Sequence, residues 1–146
     1  MKIVFLICSL IFTISVFGQE VQQNKDSIAK SLTPIEGKAI VYIVRPTGFG
    51  FLIRMKLYCD SIFIGSTMAQ NYVYLAVDSG KHIFISKSEN KSKLELLVEP
   101  GKIYYLKQQV KMGFLYAETS LKLLDEAEGK KYLNKCTLSS DNSFIQ

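Results

Sequence analysis

The sequence predicts a mainly all-β protein, an antiparallel β-sandwich followed by one short C-terminal helix. From residue 38 onwards, short runs rich in β-branched and aromatic residues recur along the chain, and these residue types are enriched in strands. Several runs alternate apolar and polar positions, as half-buried strands do. Turns containing glycine, proline or aspartate separate the runs at short intervals, a spacing typical of sandwiches and barrels. The predicted strands cover residues 38–46, 52–59, 62–66, 71–77, 82–87, 94–98, 103–110 and 115–124.

The first strands are predicted from a continuous apolar run and from a hairpin. The stretch KAIVYIVRP (38–46) is apolar on both faces, which is typical of a central strand covered on each side, and its proline ends it. Residues 52–59 alternate, and the polar pair Asp60 and Ser61 separates them from the next apolar run. Two short runs around a two-residue polar turn predict a β-hairpin.

The later strands are predicted from their turn residues. Gly80 can supply a positive φ after the fourth strand, and Pro100 with Gly101 matches a type II turn before the seventh. Tyr104 and Tyr105 are adjacent in that seventh strand, so their side chains point to opposite faces. At most one of them therefore faces the core, and the other meets water or a second layer.

The C-terminal segment is predicted to be a short helix and a tail. Asp125 is placed to cap a helix over residues 125–135, and Glu128 stands three residues later, close to a capping box. Gly129 weakens this helix, since glycine is a poor helix former. Residues 136–146 are predicted to be a loose tail.

The N-terminus has the layout of a secretory signal peptide over residues 1–18. Lys2 supplies a short basic segment, residues 3–17 form an apolar run, and Gly18 is a small residue at a cleavage point. A membrane span needs about 20 apolar residues and is usually flanked by basic ones, so cleavage after Gly18 is preferred to a retained anchor, which stays the alternative. We therefore predict export to a bacterial periplasm or cell envelope, with no transmembrane anchor after cleavage.

One domain is predicted beyond the signal peptide. Residues 19–37 are polar, show no sustained apolar period and are predicted to be a flexible leader, and the β-sandwich with its helix covers residues 38–135. Loss of Lys2 with the signal peptide changes the net charge from +5 to +4. The basic residues are scattered rather than clustered, which together with export argues against nucleic acid as a partner.

The sequence contains no recognisable catalytic constellation. His82 is the single histidine, and no nucleophile-elbow motif accompanies it. With one histidine and distant cysteines, a tetrahedral zinc site has too few soft ligands, and the carboxylates do not alternate as in a calcium loop. We predict a non-enzymatic protein without a metal or a cofactor.

Arg45, His82 and Tyr105 are the candidates for ligand binding. Arg45 ends an apolar strand, so its guanidinium is predicted either to clamp a carboxylate or backbone carbonyls, or to contact an anionic ligand. Local hydrogen bonds for His82 and packing for Tyr105 are the simpler interpretations, and a tyrosine-lined groove for a saccharide or peptide is the alternative. Cys59 and Cys136 leave two alternatives open, a disulfide in an oxidising compartment or a buried free thiol at Cys59.

Five segments, in the same order, carry a resemblance to a known family. They are KAIVYIVRP, LYCDSIFIGS, VDSGKHIF, LELLVEPGKIYYLKQ and LLDEAEGKKYL. Together they cover about residues 38–133, and they resemble the bacterial family described as domain of unknown function 2846. Ser61 stands where that family usually has glycine, and Lys107 where it has arginine. The resemblance implies an exported β-sandwich similar to prealbumin-like or carboxypeptidase-regulatory-like modules, and it implies no reaction.

We predict an exported, non-enzymatic module that binds or packs against an envelope component, either a protein or a glycan. The alternative is a periplasmic small-ligand carrier or an enzyme with a loop-built site that uses Arg45, His82 and a tyrosine. A cleft that brings Arg45 or His82 next to a carboxylate would favour this alternative, and local bonds in an uninterrupted sandwich would favour the module. Adhesion through an exposed sheet edge is a third class.

Overall fold

The structure, a computed structural model, describes residues 18–115 and 117–142. The chain divides into two compact units, Met1–Ser31 and Leu32–Gln146. The predicted signal peptide lies outside the described residues except for Gly18. Neither helix in the described part of the chain is long and apolar enough to cross a membrane.

The first unit contains a helix, α1, over residues 18–30, where the sequence analysis predicted a flexible leader over 19–37. Helix-forming residues, chiefly glutamine, glutamate, lysine and alanine, are frequent in this stretch. Asp26 and Lys30 form an ion pair of 2.7 Å at the i,i+4 spacing that supports a helix. These local preferences produce a helix without the sustained apolar period on which the prediction relied.

The second unit consists of two packed sheets, and the predicted all-β sandwich is confirmed. One sheet has the strand order β8-β7-β1-β4-β9, and the other has the order β3-β2-β5-β6. A short helix, α2 (Glu126–Leu133), follows β8. The strands are β1 (Lys38–Arg45), β2 (Met55–Cys59), β3 (Ile62–Thr67), β4 (Asn71–Asp78), β5 (Gly80–Lys87), β6 (Lys91–Val98), β7 (Ile103–Met112), β8 (Ala117–Leu124) and β9 (Thr137–Leu138).

Two strand pairs differ from the predicted antiparallel arrangement. β1 pairs in parallel with β7, and β4 pairs in parallel with β9. Strands joined by a tight turn must run antiparallel, but β1 and β7 are distant in sequence, and a residue pattern does not specify the partners of such strands. β9 and the residues up to 142 replace part of the predicted loose tail: the Ser139 hydroxyl donates to the Ser66 carbonyl at 2.6 Å, and the Tyr74 amide donates to Asn142 at 3.2 Å.

The core lies between the two sheets, and β1 is its central strand. Val41, Ile43, Leu57, Phe84 and Leu106 are fully buried there. The opposite face of β1 is also buried, as its two-sided apolar pattern predicted.

Helix α2 packs over the outer face of β7 and β1. The predicted cap is confirmed, since Asp125 accepts a hydrogen bond of 2.8 Å from the amide of Glu128. Gly129 lies directly against Tyr105, and a Cβ atom at this position would stand 2.2 Å from the tyrosine Cγ. A glycine that weakens the helix in isolation therefore allows it to reach the sheet.

The strand registers place the connections at two ends of the sandwich. Arg45 is paired with Asn71 and Met112 with Ala117, and Ser88 donates to the Ala117 carbonyl at 2.8 Å across the two sheets. We call the end formed by residues 46–54, 68–70, 88–90 and 113–115 the loop end. We call the opposite end, formed by residues 60–61, 79 and 99–102, the turn end.

Candidate functional site

Arg45 organises the loop end from inside the protein. Its side chain is 0% exposed, and its guanidinium donates hydrogen bonds to four backbone carbonyls. The acceptors are Ile53 at 2.6 Å, Gly50 at 2.7 Å, Thr67 at 3.1 Å and Phe49 at 3.2 Å. Burial lowers the pKa of Arg45 from its ordinary value. This arrangement is the structural clamp that the sequence analysis considered, and it folds the connection between β1 and β2 around the guanidinium.

The loop end exposes a group of large apolar side chains. Phe114 is 100% exposed, and the other members of the group are at least one-third exposed. Exposed apolar groups of this kind mark interaction sites when they lie together. The group consists of Phe49, Phe51, Leu52, Ile53, Phe114 and Leu115, together with Met112 at the adjoining end of β7.

Ile53 of this group also lines a cationic cleft of about 450 Å³ at the loop end. Arg54, Lys56 and Lys87 line it together with one carboxylate, Glu89, and residues of the loop end. Lys56 is directly opposite Lys87 in the sheet, and Lys87 is directly opposite Lys91. Like charges at directly opposed positions repel each other and destabilise a sheet. Among the residues that the structure describes, none of these three lysines is in a salt bridge.

A buried hydrogen-bond chain joins the two sheets beneath the cleft. The side-chain amide of Gln108 donates to Ser86 at 2.7 Å, and Ser86 bonds the Thr119 hydroxyl at 2.6 Å. The hydroxyl of Thr67 donates to the amide oxygen of Gln108. Networks whose donors and acceptors are satisfied are rigid, so this network holds the two sheets in a fixed position relative to each other.

A second set of polar residues meets at the turn end, around His82. Its Nδ1 lies 2.6 Å from Asp60 Oδ2, and its Nε2 lies 2.8 Å from the backbone oxygen of Asp78. Burial alone lowers the pKa of His82, but the hydrogen bonds with Asp60 and Asp78 outweigh it and raise the pKa above 6.5. Both oxygens are acceptors, so an imidazolium that donates from both nitrogens satisfies this geometry.

Asp60 and Cys59 complete the set. The Ile83 amide donates to Asp60 Oδ1 at 2.8 Å and lowers the pKa of this carboxyl. The Cys59 thiol donates to Asp60 Oδ2 at 3.8 Å, and burial with the nearby carboxylate raises its pKa to about 12. One ligand atom from each of Cys59, Asp60 and His82 lies within 4.8 Å of the others. A cavity of about 160 Å³ opens onto the three side chains.

Tyr105, the third predicted site residue, lies elsewhere. It is 3% exposed, it stacks on Tyr42 with ring centroids 5.6 Å apart, and it lies beneath α2 at Gly129. Tyr104 packs towards the core on the opposite face, and its hydroxyl accepts a hydrogen bond of 3.0 Å from the Glu99 amide. The prediction that the two rings point to opposite faces is confirmed, and the outer one meets a second layer.

The predicted site residues are therefore not assembled into one site. Arg45 is at the loop end, His82 is at the turn end, and Tyr105 is under α2. Cys59 and Cys136 are both buried and are not joined by a disulfide. Of the two alternatives for Cys59, the structure has the buried thiol.

Sequence reasoning missed the meeting of Cys59, Asp60 and His82. The first two are neighbours in the chain, but the contact with His82 depends on the pairing of β2 with β5, in which Cys59 is opposite Phe84. A histidine next to a predicted turn was the available signal, and the strand register that gives it meaning cannot be derived from residue patterns.

The part of the chain that matches a known family contains both the loop end and the turn end. Residues 35–122 match the family described as "Protein of unknown function (DUF2846)". A curated relative from Haemophilus influenzae, named "Uncharacterized protein", is 31% identical over 108 residues. The alignment covers 73% of this chain and 64% of that relative's length. No solved structure matches the chain significantly.

Proposed function

The chain belongs to the family described as "Protein of unknown function (DUF2846)", and we propose that it is an exported, non-enzymatic module that docks on an anionic phospholipid surface. Docking takes place through the loop end. The observation that carries the proposal is the group of seven large exposed apolar side chains beside a cleft lined by three cations. This partner class differs from the envelope protein or glycan predicted from the sequence.

The apolar side chains supply the main attraction. Transfer of one exposed phenylalanine or leucine side chain out of water contributes about 1.5–3 kcal/mol. Phe51, Leu52 and Phe114 are each at least 65% exposed, so insertion of these three into the interfacial region contributes roughly 4–9 kcal/mol. Interfacial proteins bury apolar groups in this way at the boundary between headgroups and acyl chains.

The cleft supplies the selectivity for negative charge. Arg54, Lys56 and Lys87 face one carboxylate, Glu89, and each cation near an anionic membrane contributes about 1 kcal/mol. A lipid phosphate next to the opposed pair Lys56 and Lys87 relieves their mutual repulsion. The charge of Arg54 is already compensated by its ion pair with Asp141. Lys56 and Lys87 are therefore the cations that an anionic lipid stabilises most.

Export follows from the N-terminal residues. Lys2, the apolar run 3–17 and Gly18 have the order of a signal peptide. The protein recovered from a bacterium that exports it should begin at Gln19. Recovery of chains that begin at the intact MKIVF sequence would contradict the proposed cleavage.

Docking can be tested with a local fluorescent reporter, because the chain contains no tryptophan. We expect Phe114→Trp to shift its emission to shorter wavelength with vesicles of phosphatidylglycerol and phosphatidylcholine, and much less with phosphatidylcholine alone. Leu97→Trp is the matched control, since Leu97 is 70% exposed on β6 near the turn end and should report no change. Unchanged emission of Phe114→Trp with anionic vesicles would refute docking, whatever the N-terminal segment does.

A second candidate function, a small-ligand carrier or enzyme, is favoured by one observation. His82 lies next to a carboxylate, Asp60, beside a cavity. The cavity is about 160 Å³, whereas sites for organic ligands usually span about 300–1,000 Å³. An organic substrate therefore fits this position poorly, and we propose no reaction for it.

A further inference from the structure

We infer that Cys59, Asp60 and His82 form a site for a soft divalent metal ion of the Zn²⁺ class. The three side chains offer a thiolate sulfur, a carboxylate oxygen and an imidazole nitrogen, which are the three ligand types that Zn²⁺ uses in proteins. Their ligand atoms lie within 4.8 Å of one another. The inference concerns the turn end and does not depend on membrane docking at the loop end.

The present distances approach those of a tetrahedral site but do not yet equal them. Bonds of about 2.3 Å to sulfur and about 2.0–2.2 Å to nitrogen and oxygen place neighbouring ligand atoms roughly 3.2–3.8 Å apart. The Cys59 sulfur is 3.8 Å from Asp60 Oδ2, and His82 Nδ1 is 2.6 Å from the same oxygen. An ion therefore requires the histidine and carboxylate to separate by less than about 1 Å. It also requires the Cys59 sulfur and the His82 ligand nitrogen, which lie within 4.8 Å of each other, to come within about 3.8 Å.

The surroundings orient the three ligands as a metal site requires. His82 Nε2 bonds the Asp78 carbonyl at 2.8 Å, and metal-bound histidines commonly donate their second nitrogen to a backbone carbonyl in this way. Asp60 Oδ1 is held by the Ile83 amide at 2.8 Å, which leaves Oδ2 directed at the other two ligands. Two of the three residues, Cys59 and His82, stand on neighbouring strands, β2 and β5.

The adjoining cavity matches an ion rather than an organic molecule. Its volume of about 160 Å³ has room for a metal and a few waters. With three protein ligands, the fourth position of a tetrahedral ion is open to water or to a small anion. Binding requires the thiol and the imidazole nitrogen to lose their protons, so the affinity rises with pH.

Cobalt(II) is the probe, because a cobalt–thiolate bond gives a charge-transfer absorption in the near ultraviolet. The protein is first freed of metal with a chelator and is then titrated with Co²⁺ alone. We expect saturation at one equivalent, with an absorption that Zn²⁺ displaces. Absence of this absorption from the unsubstituted protein at saturating Co²⁺ would overturn the inference, and no variant is needed for that result.

Variants then assign the ligands. Cys59→Ser should abolish the charge-transfer absorption, and His82→Gln should weaken Co²⁺ binding at least tenfold. Cys136→Ser is the matched control, since Cys136 is also buried but lies before β9, and it should bind as the unsubstituted protein does. Retention of the absorption in Cys59→Ser, or its loss in Cys136→Ser, would contradict the assignment. Either result leaves docking untouched, because docking is read from Phe114→Trp at the other end.

Discussion

Ser61 occupies a hairpin position that suits glycine. Asp60 and Ser61 have φ values of 49° and 71°, and a two-residue hairpin turn of type I′ requires positive φ at both positions. A side chain in this conformation costs about 1–2 kcal/mol, whereas glycine adopts it freely but gives the unfolded chain extra freedom of about 0.4–1 kcal/mol.

Ser61→Gly should therefore raise the free energy of unfolding by about 0.5–1 kcal/mol, as measured by urea denaturation. Ser79→Gly is the control, since Ser79 is also in a turn but does not have a positive φ, and it should be neutral or slightly destabilising. A loss of stability in Ser61→Gly would show that the Ser61 hydroxyl stabilises the protein by more than the positive φ costs.

His82 should make the stability of the metal-free protein depend on pH. Its pKa is raised in the folded protein by Asp60 and Asp78, so its contribution is fully present below about pH 6.5 and is lost as the pH rises through the raised value. The free energy of unfolding should fall between pH 6.5 and 8, and His82→Gln should remove that part of the fall. The measurement should stop at about pH 8, because Cys59 also makes stability fall at higher pH. Its pKa is raised in the folded protein, so above about pH 8.5 the thiol ionises in the unfolded chain first, which favours unfolding. An identical pH profile in His82→Gln would contradict an imidazolium at this position.

At the scale of single residues, the sequence predicts what neighbours in the chain decide. The Asp125 cap and the positive φ of Gly80 and Gly101 follow from local turn and helix chemistry, and all three are present. The contact of Cys59 with His82 depends instead on strand register, and no local pattern contains it.

At the scale of elements, Gly129 determines whether α2 can lie on the sheet. Alanine improves helix propensity by about 1 kcal/mol, but its Cβ would stand 2.2 Å from Tyr105 Cγ and 2.4 Å from Tyr105 Cβ. Those atoms are at the root of the side chain and cannot move aside, and overpacking costs about 1–3 kcal/mol.

Gly129→Ala should thus lower the free energy of unfolding by up to about 2 kcal/mol. Gly48→Ala is the control, because a Cβ at Gly48 meets nothing within 4 Å, and it should change stability by less than about 0.5 kcal/mol. Stabilisation by Gly129→Ala would mean that α2 is not seated on Tyr105.

The connection between β1 and β2 depends on Arg45. Arg45→Met removes the donor of four hydrogen bonds, one buried and three partly buried, and unsatisfied buried carbonyls cost about 1–3 kcal/mol each when they cannot reach water. We expect a loss of roughly 2–4 kcal/mol in urea unfolding. Arg54→Met is the control, since Arg54 is half exposed and its ion pair with Asp141 is on the surface, and it should cost about 1 kcal/mol or less. Equal effects of the two substitutions would contradict the clamp.

The predicted strands are present, with ends that differ for identifiable reasons. β2 begins at Met55 rather than at residue 52, because the clamp holds Ile53 in the loop. Strand β9 has only two residues, Thr137 and Leu138, which is too short for any strand pattern in the sequence. It forms because β4 offers an open edge for pairing. Sequence reasoning could locate elements with an apolar face, but it could not locate those held by tertiary partners.

At the scale of the whole sandwich, the two ends carry different chemistry. The loop end combines exposed apolar side chains with an opposed pair of lysines, and the turn end combines a thiol, a carboxylate and a histidine. The sequence predicted the sandwich, but the opposed lysines and the set around His82 are brought together by the pairing of β2 with β5, which no residue pattern specifies.

The most direct test of docking is the depth to which two separate loops enter a bilayer. Phe51→Trp and Phe114→Trp each carry one tryptophan, in the connections after β1 and after β7, and lipids brominated along their acyl chains quench a tryptophan that reaches them. We expect both reporters to be quenched in vesicles containing phosphatidylglycerol, and Leu97→Trp to remain unquenched. Absence of quenching at both positions, or equal quenching of Leu97→Trp, would contradict docking through the loop end.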